Sequence, residues 1–320
     1  MAGKDTVFVN GLIKSREKYL ISEDAFLRMA EAASADDAFK ILREYPFGGE
    51  SAEGCDARDY EKLISAERDI FTEFLKEYAD PKVYCCLLAK NDFHNAESVL
   101  RIKHVGADES ILLPAGVVSA ERLKEGKDVP DHLKKPRAEA EALFESGKAT
   151  GAGLSAIFIK AYYSFMLKNV KNKDWKEILK YEIDAKNIGV ALRQKDGEKA
   201  KNEYIDGGNL SLKILDLVAF GEDDKALSEV LRTPYYDLLK IGLEERAERK
   251  PLVSFEKESG NFAMKRLKEK RYETDGIIPL IVYANYKESE MKNVRVVLAL
   301  KLAGADRETI RWRLKECYAG

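Results

Sequence analysis

The chain has 320 residues, of which 45% are hydrophobic and 34% are charged. Its 54 lysines and arginines nearly balance 56 aspartates and glutamates, and the net charge of −2 argues against a nucleic-acid binder, which carries a strong basic excess on one face. The apolar fraction excludes a disordered chain, and no uncharged apolar run approaches the roughly 18–20 residues of a membrane span. The first residues lack the apolar core of a signal peptide, so we expect a cytoplasmic protein.

Amphipathic helices are predicted along nearly the whole chain. Between Asp5 and Leu20, apolar residues recur at helical spacing in two neighbouring rows, which are Phe8, Leu12 and Tyr19, and Val9, Ile13 and Leu20. A second helix is expected after Ser22, and a third begins near Ser34 and ends before Tyr45. Further helices are predicted over residues 60–78, 81–105, 137–146, 154–169, 173–195, 210–220, 235–249, 251–270, 279–303 and 308–318. No segment shows sustained period-two alternation, so the predicted fold class is all-α.

A helical motif occurs three times. The first copy is Asp92-x-x-Asn95 followed by Leu100, Arg101, Lys103, Gly116 and Ser119, and the second is Asp184-x-x-Asn187 followed by Leu192, Arg193, Lys195, Gly208 and Ser211 at the same offsets. The third copy is Glu290-x-x-Asn293 with Leu298 and Lys301, where Ala299 replaces the arginine and the chain ends before a Gly/Ser element recurs. The spacing predicts three homologous helical domains over residues 1–125, 126–219 and 220–320.

No metal site is predicted. The cysteines, Cys55, Cys85, Cys86 and Cys317, contain no C-x-x-C pair, and the three histidines have no zinc-ligand spacing relative to them. We therefore interpret the cysteines as reduced core thiols.

Two glycine-rich segments partly match nucleotide-binding motifs. Gly147-Lys148-Ala149 lacks the hydroxyl residue that a phosphate-binding loop needs. The segment that starts at Gly151 matches the dinucleotide pattern G-x-G-x-x-A, but a helix rather than a strand is predicted before it, so a helix break and restart is favoured over an NAD-dependent enzyme. We expect no catalytic residues and no cofactor.

The polar residues of the repeated motif are interpreted as structural. They are Asn95, Arg101, Lys103, Asn187, Arg193, Lys195, Asn293 and Lys301. Such side chains can hold loop carbonyls or helix ends, and an active site is seldom present in triplicate within one chain.

A basic run includes Lys265, Arg266, Lys268 and Lys270. It is typical of a solvated helix face, and its functional alternative is contact with an acidic partner or anionic lipid headgroups.

The third copy carries a family resemblance. From Pro279 the sequence Pro-Leu-Ile-Val-Tyr-Ala-Asn-Tyr-Lys-Glu-Ser-Glu-Met-Lys-Asn-Val-Arg resembles the C-terminal signature of the C subunit of V/A-type rotary ATPases, the homologue of the eukaryotic V-ATPase d subunit. Five other parts of the chain also resemble patterns of this family. They are residues 90–95 with Arg101, the turn 113–116, residues 182–187, Gly207-Gly208 and Phe8-Val9-Asn10. Ala299, which stands where the first two copies have arginine, means that the three copies are not fully equivalent.

This resemblance implies a funnel of three helical domains around a pseudo-threefold axis. It further implies a non-catalytic adaptor on the cytoplasmic face of the membrane rotor ring, with a socket for the rotor shaft of the catalytic head. The partners would be the rotor-shaft subunits and the membrane ring that transports protons or sodium ions, and the chain itself would not span the membrane. A helical scaffold unrelated to rotary ATPases is the alternative.

Overall fold

The computed structural model describes residues 5–194 and 201–317. Within these ranges the regular structure is helical and no strand occurs, which confirms the all-α class. The α-helices are α1 (Thr6–Glu17), α2 (Glu23–Glu31), α3 (Ala35–Leu42), α4 (Tyr60–Tyr78), α5 (Pro81–Val105), α6 (Ala120–Glu125), α7 (Asp131–Glu145), α8 (Gly151–Asn169), α9 (Lys173–Arg193), α10 (Leu212–Ala219), α11 (Asp223–Val230), α12 (Tyr236–Ala247), α13 (Val253–Glu269), α14 (Ile278–Leu302) and α15 (Arg307–Arg313). Short 3-10 helices cover Gly49–Ala52, Ala57–Asp59 and Glu109–Ile111.

Polar side chains cap the start of many helices. Ser22 and Ser34 accept backbone hydrogen bonds three residues ahead at 3.2 and 3.1 Å, and so begin α2 and α3. Thr150 and Asn172 do the same for α8 and α9, at 3.0 and 2.9 Å. These bonds satisfy N–H groups that have no partner within the first helical turn.

Several helices differ from the predicted ones. The helices α6 and α11 were not predicted, because they are six and eight residues long and bury only one and two side chains. Helix α7 begins at Asp131 and continues through Pro136, whose buried ring packs in the interior, although a helix was predicted only from residue 137. Helix α8 begins at Gly151 rather than Leu154, since the Thr150 cap allows glycines in its first turn.

The described chain forms two compact units. The first contains the residues up to Tyr84 and those from Met264, so it combines both ends of the sequence. Its core packs α2, α3, α4, α14 and α15 together, with fully buried side chains that include Phe26, Met29, Leu42, Val294, Leu298 and Ile310.

The second unit is Cys85–Ala263. One core in it gathers side chains of α9 to α13, including Ile188, Leu192, Leu215, Val230, Leu239 and Phe255. Helices α9 and α12 pack closely, since a Cβ on Gly242 would lie 2.3 Å from Leu192 Cδ1. The predicted division of the chain into three domains remains a prediction.

Candidate functional site

Asn95, Asn187 and Asn293 make the same pair of hydrogen bonds. Each side-chain amide donates to the carbonyl of one loop residue and accepts from the N–H of that same residue, which is Leu113, Ile205 or Lys315 respectively. The six N···O distances lie between 2.8 and 3.1 Å, and each asparagine is at most 3% exposed. One buried side chain therefore satisfies both the backbone N–H and the backbone C=O of a loop residue.

A carboxylate three residues before the asparagine also binds loop backbone. In the first copy, Asp92 Oδ1 accepts the N–H of Val118 at 3.0 Å. In the second, Asp184 accepts the N–H groups of Asn209 and Leu210 at 2.8 and 3.1 Å. These two motif helices thus each fix the loop that follows them through both the asparagine and the aspartate.

Burial changes the acidity of both aspartates. It raises the pKa of Asp92 to about 6, although backbone hydrogen bonds from Val118 and Val117 act in the opposite direction. It also raises the pKa of Asp184, against the lowering effect of the Tyr235 hydroxyl, which donates to Asp184 Oδ2 at 2.6 Å. These carboxylates satisfy backbone groups, and they hold protons more tightly than exposed aspartates do.

Gly116 and Gly208 allow the loops to approach the carboxylates. A Cβ on Gly116 would lie 2.6 Å from Asp92 Oδ1, and one on Gly208 would lie 2.1 Å from Asp184 Oδ1. Neither glycine has a positive φ, so the position requires the absence of a side chain rather than an unusual backbone conformation. This explains why glycine recurs at the same offset in both copies.

The serine of the motif occupies the N-cap position of the next helix, and in the first copy its hydroxyl also accepts the N–H of Arg122. Ser119 and Ser211 are the N-caps of α6 and α10, and the residue before each of them donates its N–H to the motif aspartate. In the third copy, Glu290 Oε1 accepts the N–H of Ile21 at 2.7 Å, and Ile21 precedes Ser22, the N-cap of α2. The serine N-cap that follows the first two motif helices therefore has its counterpart near the N-terminus, without the glycine that precedes it in those copies.

The arginines and lysines of the motif do not make the same contacts in the different copies. Arg101 bonds to Glu97 and to the Gly151 carbonyl, whereas Arg193 bonds to the Gly189 carbonyl and to Glu256. The lysines also have different partners: Lys103 pairs with Glu141 at 2.8 Å, and Lys301 donates to the Ala32 carbonyl. Lys195 lies outside the described residues. The structural role predicted for these cations remains a prediction.

The basic run lies at the end of α13. Lys265 is exposed, whereas Arg266, Lys268 and Lys270 are half-buried. Lys268 lies 3.4 Å from Glu316 and Lys270 lies 3.4 Å from Glu273. Part of the run therefore contributes to local packing as well as to the surface.

A buried ionic cluster in the first unit was not predicted from the sequence. The Lys287 ammonium lies between the carboxylates of Glu67 and Glu290, and all three residues are at most 8% exposed. Glu67 accepts the N–H of Gly48 at 2.7 Å, so the cluster holds the segments on both sides of α2 and α3. Burial raises the pKa of Glu290, and Lys287 opposes that change. The available signal in the sequence was the i, i+3 spacing of Lys287 and Glu290 within α14.

The surroundings of the glycine-rich segment are helical. Helix α7 ends at Glu145 and α8 begins at Gly151, so no strand leads into the G-x-G-x-x-A pattern. In residues 5–194 and 201–317, no group of three or more His, Cys, Asp or Glu side chains is placed to hold a metal ion. Within the same ranges, no helix has the length and apolar character needed to cross a membrane.

Comparison with known proteins identifies relatives over nearly the whole chain. The C subunit of the V-type sodium ATPase of Enterococcus hirae is 25% identical over 97% of this chain and 98% of its own length. The C subunit of the A-type ATP synthase of Methanocaldococcus jannaschii is 24% identical, over 95% of this chain and 84% of its own. The C subunit of the V-type ATP synthase of Thermus thermophilus is 22% identical, over 96% and 97%.

The sequence pattern of one family accounts for these similarities. The pattern of the ATP synthase (C/AC39) subunit matches residues 9–313, which include all three copies of the Asn motif. The chain therefore belongs to the ATP synthase (C/AC39) subunit family, as the resemblance of its third motif copy predicts.

Proposed function

We propose that the chain is a non-catalytic central-stalk adaptor of a V/A-type rotary ATPase. It joins the rotor shaft of the catalytic head to the membrane rotor ring, turns with both, and sits as a peripheral protein on the cytoplasmic face of the membrane. ATP chemistry and the transport of protons or sodium ions take place in other subunits. The family match over residues 9–313 is the observation that carries this proposal.

The hydrogen bonds of the motif support a mechanical role. A part that transmits torque must resist deformation, and close-packed interiors have low compressibility. In this chain, buried asparagines fix the segments that follow three motif helices, and the motif carboxylates fix two of those loops and the segment before α2. An adaptor needs such fixed loops to keep its contact surfaces in place.

The basic run is retained as a proposed contact surface for the partners. Lys265 is the exposed member of the run and is the position chosen for charge reversal, since reversal at the half-buried Lys268 would also disturb the fold. Lys265→Glu should weaken docking to an acidic surface more at low salt than at high salt.

Co-purification tests the adaptor role. The tagged chain, expressed in its own cells and extracted with mild detergent, should recover rotor-shaft and membrane-ring subunits together. An unrelated tagged helical protein serves as the control for non-specific recovery. Recovery of neither set of subunits would contradict the proposal and favour an unrelated scaffold.

A further inference from the structure

The third copy of the motif binds a segment from the other end of the chain. In the first two copies, the motif aspartate accepts a backbone N–H from 26 residues ahead, that of Val118 or Leu210. In the third copy, Glu290 accepts the N–H of Ile21, which is 269 residues away. Joining distant segments costs more conformational entropy than joining near ones, and homologous repeats are prone to pair wrongly during folding. Proximity along the chain therefore selects the partner in the first two copies but not in the third.

The helices that follow the motif carboxylates have similar inner faces in the second and third copies. Helix α10 follows the cap Ser211 as α2 follows the cap Ser22. The buried side chains at equal distances from the serine are Leu215, Val218 and Ala219 in α10, and Phe26, Met29 and Ala30 in α2. Apolar packing discriminates weakly between such faces, because cores tolerate the exchange of one hydrophobic side chain for another.

Three ion pairs join α4 to α14 in the first unit. They are Glu61–Arg295, Glu67–Lys287 and Arg68–Glu288. Arg295 donates to both carboxylate oxygens of Glu61, at 2.6 and 2.7 Å, and the Glu67–Lys287 pair is buried. The pairs join residues 220 to 234 positions apart, and their order along α14 is the reverse of that along α4, so the two helices are antiparallel. Charge therefore accompanies apolar packing in this long-range contact.

The corresponding positions of α9 carry no cation. Counted from the motif asparagine, Lys287 corresponds to Tyr181 in this helix, and Arg295 corresponds to Gly189. A Cβ on Gly189 would lie 3.1 Å from the Phe255 ring, so the surface of α9 is closely packed at that point. If α4 packed against α9, the glutamates of α4 would lose both of these cations.

Helix α5 also lacks the charges that complement α4. Lys287 corresponds to Ala89 in this helix, and Arg295 corresponds to Glu97. Against α5, Glu61 would face a second carboxylate, and the buried glutamate of α4 would lose its ammonium partner. Like-charge contacts and unpaired buried carboxylates both disfavour a pairing. Of the three motif helices, α14 thus complements the charges of α4 best.

We propose that the ion pairs between α4 and α14 select the partner of the third motif helix during folding. They direct α14 onto α4 and the helix pair α2–α3 that precedes it, and they reject α5 and α9 at the same position. Apolar packing supplies most of the stability, and the charges supply the choice of partner. This selection belongs to the folding of the chain and does not depend on the adaptor role.

A charge-free variant separates selection from stability. It combines Glu67→Gln, Lys287→Met and Glu290→Gln, so that the side-chain amides still accept the N–H groups of Gly48 and Ile21. Replacing buried ions with neutral side chains of similar size is often neutral for stability, so we expect the folded variant to melt within about 5 °C of the wild type. After dilution from urea, pulsed hydrogen exchange and mass spectrometry count the full-length molecules with a protected Ile21 amide. We expect this fraction to fall at least about threefold.

A charge exchange at the partly exposed pair provides a second test. Glu61→Arg and Arg295→Glu each place like charges opposite one another, whereas the double variant restores an ion pair in reverse orientation. Each single variant should lower the fraction with protected Ile21 at least about twofold, and the double variant should recover the wild-type fraction. This cycle decides the question if the charge-free variant does not fold.

Glu256→Arg is the matched control. It places two arginines opposite one another on α9 and α13, where Arg193 and Glu256 lie 2.7 Å apart and are separated by only 63 residues. It should leave the protection of Ile21 after refolding unchanged. Wild-type protection in the charge-free variant and in both single variants would overturn the inference, even if their melting temperatures fall, because the pairs would then stabilise without selecting. An equal loss of protection in the control, or no recovery in the double variant, would also overturn it.

Discussion

A buried asparagine that binds one loop residue through both its N–H and its C=O is costly to remove. In Asn187→Ala, the N–H and the carbonyl of Ile205 lose their partners in the interior. At about 1–3 kcal/mol for each unsatisfied group, we expect the free energy of unfolding to fall by about 2–4 kcal/mol. Urea denaturation followed by circular dichroism measures the change.

Asn169→Ala is the control for that substitution. Asn169 also donates to a backbone carbonyl, that of Phe165 at 2.8 Å, but it is exposed to water. Its removal should change the free energy of unfolding by less than about 0.5 kcal/mol. Equal losses for the two variants would contradict the role that we assign to the buried hydrogen bonds.

The raised pKa of Asp92 predicts a pH dependence of stability. Burial raises this pKa from the ordinary value of 3.8 to about 6. Between these two pH values, Asp92 keeps its proton in the folded protein, whereas the unfolded chain has released it. The stabilisation from this group is therefore complete below about pH 4 and is lost as the pH rises through about 6, a change of about 3 kcal/mol.

Asp92→Asn isolates this contribution. Asparagine keeps an oxygen that can accept the Val118 N–H but does not titrate in this range. Between pH 4 and pH 7, the free energy of unfolding of the wild type should fall relative to that of the variant, since the other titrating groups are common to both. Parallel pH profiles would show that the acidity of Asp92 is not altered by folding.

At the scale of elements, the contact between loop and motif helix depends on glycine. Gly208→Ala would place a methyl group 2.1 Å from the carboxylate of Asp184, so the loop must move away and its hydrogen bonds to Asp184 must weaken. We expect a loss of about 1–3 kcal/mol of unfolding free energy, as for other overpacked sites. Thermal melting provides the measurement.

Gly11→Ala gives the opposite expectation. Gly11 is exposed within α1, and nothing lies within 4 Å of the position that its Cβ would take. Alanine should therefore stabilise the helix by about 0.5–1 kcal/mol. If both variants lose stability alike, close approach to the carboxylate is not the reason for glycine in the motif.

The bounds of long helices could be predicted from the sequence, whereas two short helices, α6 and α11, could not be predicted. The predicted bounds 60–78 and 81–105 agree with α4 and α5, because apolar periodicity runs over five turns or more and Pro81 marks a first turn. Helix α11 buries only Ala226 and Val230, which is too few positions for a periodic pattern. Its helical state depends on packing within the second unit, which a local pattern does not contain.

At the scale of the whole molecule, contacts between distant parts of the sequence limit how much of the structure the sequence predicts. Repetition alone identifies Asn95, Asn187 and Asn293, but no spacing rule links Glu290 to Ile21, 269 residues away. The Lys287 cluster likewise joins Glu67 and Glu290 from opposite ends of the chain. The sequence therefore predicts the three motif helices, and only the structure identifies the N-terminal segment that completes the third copy.

Bridging of shaft and ring by this chain tests the adaptor role most directly. Purified membrane ring is immobilised, and purified rotor-shaft subunits are added with and without the chain. We predict that the shaft subunits remain on the ring only when the chain is present, with equal amounts of chain and shaft bound at saturation. Retention of the shaft without the chain, or its loss despite bound chain, would contradict the adaptor role.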